Sequence, residues 1–251
     1  MLLGSTSVAQ LEGWVAKVIE NLHDCAAAFK FQFAFFQQFG VEGLSVLSEA
    51  INLAKERGAI AILDAKYSDI PSTFEAYISA AFHKGEGTNF GWNADAVTVN
   101  PYLALEAMRG LFLWNRYPGH GYYLLMTPAG SLSPNILSGT QRALDRVTEE
   151  MLLEILSWTD AEIERRGTCL GIVVSAIRPD FISRNLQRLS RFPLLVPGIG
   201  FQGGSLTEFA KVFNGQQDTM FVVARSLFEG LDAFDFDSVR QRALHYAALS
   251  R

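Results

Sequence analysis

Only two cysteines, Cys25 and Cys169, and four histidines occur in 251 residues, which leaves little material for a disulfide framework or a thiolate and imidazole metal centre. Each cysteine falls in an apolar helical or strand-like segment, so both read as reduced core thiols of a cytosolic protein. His23 and His245 lie on expected helices, while His83 and His120 sit in or beside loops without an acidic partner at metal spacing. No metal site is expected, and neither a Ser/His/Asp nor a Cys/His nucleophile has support. Basic residues are also scarce: 21 Lys plus Arg stand against 26 Asp plus Glu, a formal charge of −5. No basic cluster provides the footprint of a nucleic-acid surface, and a small-molecule ligand fits better. No apolar run is long enough to span a bilayer, and no basic n-region precedes an apolar h-region. The expectation is a soluble, unexported, cytoplasmic protein. A G-x-G-x-x-G opening a helix after the first strand is missing too, which disfavours a doubly wound dinucleotide-binding sheet.

What the chain does have is apolar mass, 49% hydrophobic against 19% charged, enough for one large core across residues 1–251. Strand-like runs recur at 26–29, 59–63, 96–99, 122–126, 170–174, 193–196 and 220–223. Between them, Val8, Leu11, Val15, Val18, Ile19 and Leu22 keep helical spacing, as do Leu44, Leu47, Ile51 and Ala54. This repetition predicts a single-domain (β/α)8 TIM barrel with a parallel sheet. Its eighth strand has only Met1-Leu2-Leu3-Gly4 to draw on, so the first strand is short and atypical. The stretches 83–93 and 128–140, rich in Gly, Ser, Pro and Asn, read as loops within one core.

Chemistry concentrates in Asp64-Ala65-Lys66-Tyr67-Ser68-Asp69-Ile70, where the apolar run Ala59 to Leu63 ends. Charges at that point sit at the C-terminal mouth of a barrel strand, where such folds build their sites. Asp64 and Lys66 share a face of the strand and can pair, with Asp69 beyond them on the loop. Taken alone, the same residues also fit a surface salt bridge followed by a helix cap. Late in the chain, Gly198-Ile199-Gly200-Phe201-Gln202-Gly203-Gly204 follows one strand and Arg225 follows the next. That pairing suits a phosphate, received by backbone N–H groups and a bidentate arginine, whereas a glycine-rich turn and a solvated arginine would serve structure alone.

Together these segments resemble the orotidine 5'-phosphate decarboxylase family, whose bacterial branch carries D-A-K-R-G-D-I, N-P-Y-L-G and P-G-I-G-A-Q-G-G signatures. Here they stand as residues 64–70, as Asn100-Pro101-Tyr102-Leu103-Ala104, and as Pro197 to Gly204. Upstream, Phe29-Lys30-Phe31-Gln32-Phe33-Ala34-Phe35-Phe36 is similar to the family's F-K-P-Q-x-A-F-F. The likeness runs from about residue 25 to residue 230. It implies a barrel that dimerises across its active sites and decarboxylates orotidine 5'-monophosphate to UMP without a cofactor. It further implies that Lys30, Asp64 and Lys66 form a charge array, with Lys66 protonating C6 as carbon dioxide leaves. Asp69, Ile70 and Thr73 would reach into the partner's site. Gln202 and Arg225 match the phosphate contacts, and Thr127 lies near a serine that contacts the pyrimidine.

This chain departs from the family pattern at several positions. Thr6 aligns where the family has an aspartate that binds the ribose hydroxyls, and a neutral hydroxyl can hydrogen-bond a sugar but cannot act as a carboxylate. Tyr67 and Ser68 replace arginine and glycine, Phe31 replaces proline and Ala104 replaces glycine. Met126-Thr127-Pro128-Ala129-Gly130-Ser131 replaces the bacterial T-S-N-P-G-S. Two other readings therefore stand beside the first: a divergent paralogue acting on or binding another pyrimidine nucleotide, and a catalytically silent nucleotide-binding barrel.

Overall fold

A computed structural model of the chain describes residues 7–83, 91–103, 105–114, 117–127, 137–158, 169–213, 218–232 and 234–250. Thr6, and with it the short strand expected at residues 1–4, lies outside the described residues. The chain starts with α1 (Val8–Leu22), β1 (Ala28–Gln32), α2 (Phe33–Gln37), α3 (Gly40–Glu56), β2 (Ile60–Tyr67) and α4 (Pro71–Phe82). It continues through β3 (Ala96–Val99), α5 (Leu105–Trp114), β4 (Gly121–Leu125), α6 (Leu137–Trp158), β5 (Cys169–Val173) and α7 (Pro179–Leu189). The last elements are β6 (Leu194–Val196), α8 (Leu206–Phe213), β7 (Thr219–Phe221), α9 (Arg225–Phe228) and α10 (Phe236–Leu249).

Among the described residues, seven strands pair in sequence order, β1 to β7, and every pairing is parallel. Crossover helices make this the nearly closed barrel of a TIM fold. Each strand contributes to two layers. Leu63, Val97, Tyr122, Leu124, Ile172, Val174 and Leu194 pack outward against the helices, while Ile62, Ala96, Tyr123, Val173 and Leu195 fill the barrel interior. Alternation along each strand explains the division.

Local sequence accounts for the helix ends. Ser7 caps α1 with a reciprocal box: Ser7 Oγ accepts from the Gln10 N–H at 3.2 Å, and the Ser7 N–H donates to Gln10 Oε1 at 2.8 Å. Leu11, Val15, Ile19 and Leu22 form its buried stripe, as their spacing requires. Pro71 opens α4, where a missing N–H costs nothing.

Three expectations change. The first inner strand is not residues 26–29 but runs on through Lys30 to Gln32, because pairing with β2 carries the backbone past the end of the apolar run. Residues 137–140, expected in a loop, open α6; the rest of that loop, 128–136, lies outside the described residues, as do 84–90. The cysteines are not core thiols: both are free, Cys25 is half-buried, and Cys169 is exposed at the first position of β5, where the strand starts at the surface. No described helix is long and apolar enough to cross a membrane.

Candidate active site

Because the strands are all parallel, their C-terminal ends gather at one mouth. Lys30 and Gln32 come from β1, Asp64 and Lys66 from β2, and Thr98 from β3. Asp64 is the centre. It is 6% exposed, and Lys30 Nζ forms an ion pair with its Oδ2. Lys66 Nζ donates to its Oδ1 at 2.5 Å, and Thr98 Oγ1 donates to the same oxygen at 2.8 Å. Gln32 ties the lysine to the strand, accepting from Lys66 Nζ at 3.0 Å while its Nε2 donates to the Asp64 carbonyl at 3.2 Å. One carboxylate thus serves two ammonium groups and a hydroxyl, with two donors on Oδ1 and one on Oδ2.

The electrostatics follow from that inventory. Burial alone pushes the Asp64 carboxyl toward its neutral form and is the largest single influence, but the charges of Lys30 and Lys66 and their hydrogen bonds together outweigh it. Asp64 is held below the ordinary carboxylate value and stays ionised. A buried carboxylate between two cations at a strand-end mouth is a functional-site candidate.

Lys66 does not sit in regular strand geometry. Its φ is +55°, in the left-handed region, and the register against β3 shifts between Leu63 and Tyr67. A long side chain in that region costs on the order of 1–3 kcal/mol, and such strain persists where the surroundings over-determine it. Here the Lys66 N–H donates to Thr98 Oγ1 at 3.0 Å, and Asn100 N–H donates to the Tyr67 carbonyl at 2.8 Å. The bulge turns the ammonium back toward Asp64, so the pair expected from simple alternation forms by a different route.

Tyr67 stacks on Tyr77 with centroids 4.5 Å apart and meets the edge of Phe33, which in turn meets Trp92. Burial, the largest influence, pushes the Tyr67 phenol up to about 12, although Trp92 donates a hydrogen bond to it. Tyr67, which stands where the resemblance has arginine, is therefore an uncharged aromatic side chain packed between Tyr77 and Phe33.

Asp69 stands apart from the array. Its Oδ1 accepts from the Ile70 N–H at 2.7 Å, and no ion pair joins it to Lys30 or Lys66. Ile70 is 65% exposed, and Thr73 is half-buried in the first turn of α4. Thr127, just past β4, is buried, and its Oγ1 accepts from the Ser175 N–H at 2.7 Å. Gln202 is exposed on the glycine loop after β6. Arg225 opens α9 with its guanidinium 4.0 Å from the centre of the Phe201 ring, which draws the β6 and β7 loops together.

That loop corrects one expectation. Most of its backbone N–H groups are not open to an anion: those of Gly200, Gly203 and Gly204 donate to carbonyls within the loop, and that of Phe201 donates to Ser226 Oγ. A Cβ on Gly200 would lie 2.2 Å from Ser226 Oγ, so glycine is needed there for close approach. Gln202 and Arg225 are the side chains at this end suited to meet an anion.

Two members of the array went unassigned in the sequence, Gln32 and Thr98. A hydroxyl in the otherwise apolar Ala96-Val97-Thr98-Val99 was the available signal for Thr98, and alternation with Lys30 was the signal for Gln32. Among the described residues, no group of three or more His, Cys, Asp or Glu side chains could hold a metal ion.

Residues 12–232 match the family model described as Orotidine 5'-phosphate decarboxylase / HUMPS family. A protein named orotidine 5'-phosphate decarboxylase from Streptomyces coelicolor is 34% identical over 209 residues, 82% of this chain and 71% of that protein. One of the same name from Myxococcus xanthus is 30% identical over 220 residues, 87% of this chain and 75% of that protein. The solved structure of Leishmania donovani OMP decarboxylase superposes with a TM-score of 0.73 at 25% identity, covering 98% of this chain and 90% of the other.

Proposed function

This chain belongs to the orotidine 5'-phosphate decarboxylase / HUMPS family, and from that premise we propose that it converts orotidine 5'-monophosphate to UMP and carbon dioxide, without a cofactor, in pyrimidine biosynthesis. The observation that carries this reading is the buried carboxylate of Asp64 shared by Lys30 and Lys66 at the mouth of the barrel.

The chemistry sets a narrow demand. Breaking the bond between C6 and its carboxylate sends off carbon dioxide and leaves the electron pair on C6, in an orbital that the ring hardly delocalises. An ammonium fixed beside C6 stabilises that charge more as it grows, and then transfers its proton to form the C6–H bond. Lys66 has the position and the partners for this role. Asp64 keeps Lys66 aimed, and Lys30 keeps Asp64 ionised so that it holds the ammonium without withdrawing its proton. Gln32 and Thr98 fix the geometry of both.

Gln202 and Arg225 bind the phosphate in this reading, with Thr127 beside the base and Thr6 at the ribose. The working unit is a homodimer in which Asp69, Ile70 and Thr73 complete the neighbouring site. Among the described residues no cation pairs with Asp69, which supports this, and so does the exposure of Ile70, Tyr77, Tyr102 and Leu103 around the same mouth. Residues 1–251 act as one domain, and the free thiols suit a cytoplasmic enzyme acting on a free nucleotide, not on nucleic acid.

Purified protein mixed with orotidine 5'-monophosphate is expected to bleach the orotate absorbance and release carbon dioxide, equally with and without EDTA. Folded protein that does neither would overturn the assignment and leave the silent-barrel reading. Tyr67, an aromatic wedge where the family motif has arginine, favours a second reading in which another carboxylated pyrimidine nucleotide is preferred. A competition panel of such nucleotides separates the two.

A further inference from the structure

The inward face of the barrel can be followed strand by strand. Ile62, Ala96, Tyr123, Val173 and Leu195 pack together inside the sheet. Alternation then places Asp64, Thr98, Leu125, Ser175 and Pro197 in the next inward layer toward the mouth. Asp64 and Thr98 belong to the charge array. Ser175 stands in that layer three strands along, just past β5.

Two observations make it unusual. Ser175 is 1% exposed, yet its hydroxyl has no hydrogen-bond partner among the described residues. Its backbone is meanwhile pinned, because its N–H donates to Thr127 Oγ1 at 2.7 Å and the Ala176 N–H donates to the Pro197 carbonyl at 2.9 Å. A buried hydroxyl left without a partner is destabilising, and alanine would fill nearly the same volume without that penalty. The hydroxyl also has a direction. The point that a Cβ on Gly198 would occupy lies 3.6 Å from Ser175 Oγ and 3.1 Å from Gln202 Oε1. With φ at +101°, Gly198 puts no side chain of its own at that point, which the side chains of Gln202 and Ala176 border alongside Ser175.

We propose that Ser175 is a substrate-contacting residue whose hydroxyl hydrogen-bonds the carbonyl and imide edge of the pyrimidine. The proposal rests on the reading of the site as one for a pyrimidine nucleotide. With C6 held at Lys66, the opposite side of a six-membered ring carries N3–H flanked by two carbonyls. A neutral hydroxyl can both donate to and accept from that edge. The buried inward layer suits a base, whereas the phosphate dianion calls for the charged, exposed Arg225 on the loop above. Ser175 and Thr127 then face the base together, joined through the Ser175 N–H.

The test compares Ser175→Ala with the unaltered protein by titration calorimetry against UMP and against ribose 5-phosphate, which lacks the base. UMP affinity is expected to fall about 3- to 12-fold, the range of one neutral hydrogen bond. Ribose 5-phosphate affinity is expected to hold, and Tm to stay level or rise. The kcat/KM for orotidine 5'-monophosphate should fall with UMP affinity. Unchanged UMP affinity overturns the proposal. A parallel loss for both ligands also overturns it, by putting the hydroxyl on the phosphate loop, and a clear drop in Tm overturns it by making the hydroxyl structural. If the unaltered protein binds ribose 5-phosphate but not UMP, the nucleotide assignment itself fails and the proposal fails with it.

Discussion

Replacing Asp64 with asparagine keeps the shape of the side chain and removes the charge that two lysines share. Removing one partner from a buried ion pair costs about 3–5 kcal/mol, because the other charge is left uncompensated. Here the side chain of Lys30 is 18% exposed and that of Lys66 is 44% exposed. Lys66 can turn to water, so its share falls to the surface scale of about 0–1 kcal/mol, and Lys30 carries most of the loss. The expected destabilisation is about 2–4 kcal/mol, or roughly 4–16 °C in Tm for a chain of this size. Its pH dependence has a definite sign. The folded carboxyl titrates below the unfolded value of 3.8, so as pH falls the unfolded chain takes up the proton first. The advantage over Asp64→Asn is therefore fully present above the unfolded value and is lost as pH drops through the folded one. Urea unfolding of both proteins, followed by circular dichroism, should give the same gap at about pH 7 and pH 5 and a smaller one near pH 3. A gap below about 1 kcal/mol at neutral pH, or one that widens in acid, would refute the view that the two lysines hold Asp64 ionised.

Thr98→Val removes the donor to Asp64 Oδ1 and the acceptor for the Lys66 N–H; a loss of about 1–3 kcal/mol in urea unfolding is expected, with kcat falling more than KM rises. Thr98→Ser should recover both, and a Val variant with unaltered kcat would remove Thr98 from the positioning of Lys66. Arg225→Ala should weaken ribose 5-phosphate binding roughly 10- to 150-fold, the worth of a charge-assisted hydrogen bond, with the loss shrinking in high salt; equal binding by both proteins would separate Arg225 from the phosphate. Asp69→Ala and Lys66→Ala, each inactive alone, should regain up to about one quarter of the original activity when mixed under subunit exchange. Half the dimers are then mixed, and each has one intact site out of two. Exchange confirmed by mass without recovered activity would rule out Asp69 acting across the interface.

Much of the fold was legible in the chain because it depends on local periodicity. Leu11, Val15, Ile19 and Leu22 define α1 by their spacing alone, and the apolar runs that became β2 to β7 are separated by helical stretches, which leaves parallel pairing as the natural arrangement. The charged residues beyond the apolar run of β2 could likewise be assigned to the mouth of a barrel, since strand direction decides which end they occupy.

The tertiary structure decided what depends on neighbours far apart in sequence. Lys30 and Gln32 lie beyond the apolar run 26–29, and only pairing with β2 made them part of β1 and brought Gln32 opposite Asp64. Thr98 became a partner of Asp64, 34 residues away, through strand register. The left-handed turn at Lys66 is invisible in composition, because it arises where a bulge must be reconciled with β3. The glycine loop promised open N–H groups, but its own carbonyls and Ser226 took up most of them. Ser175 lies just past the apolar run 170–174, and only packing buried its hydroxyl and left it without a partner among the described residues. Periodicity belongs to one segment and survives in the sequence. Register, burial and hydrogen-bond satisfaction belong to pairs of segments and exist only once the barrel has closed around them.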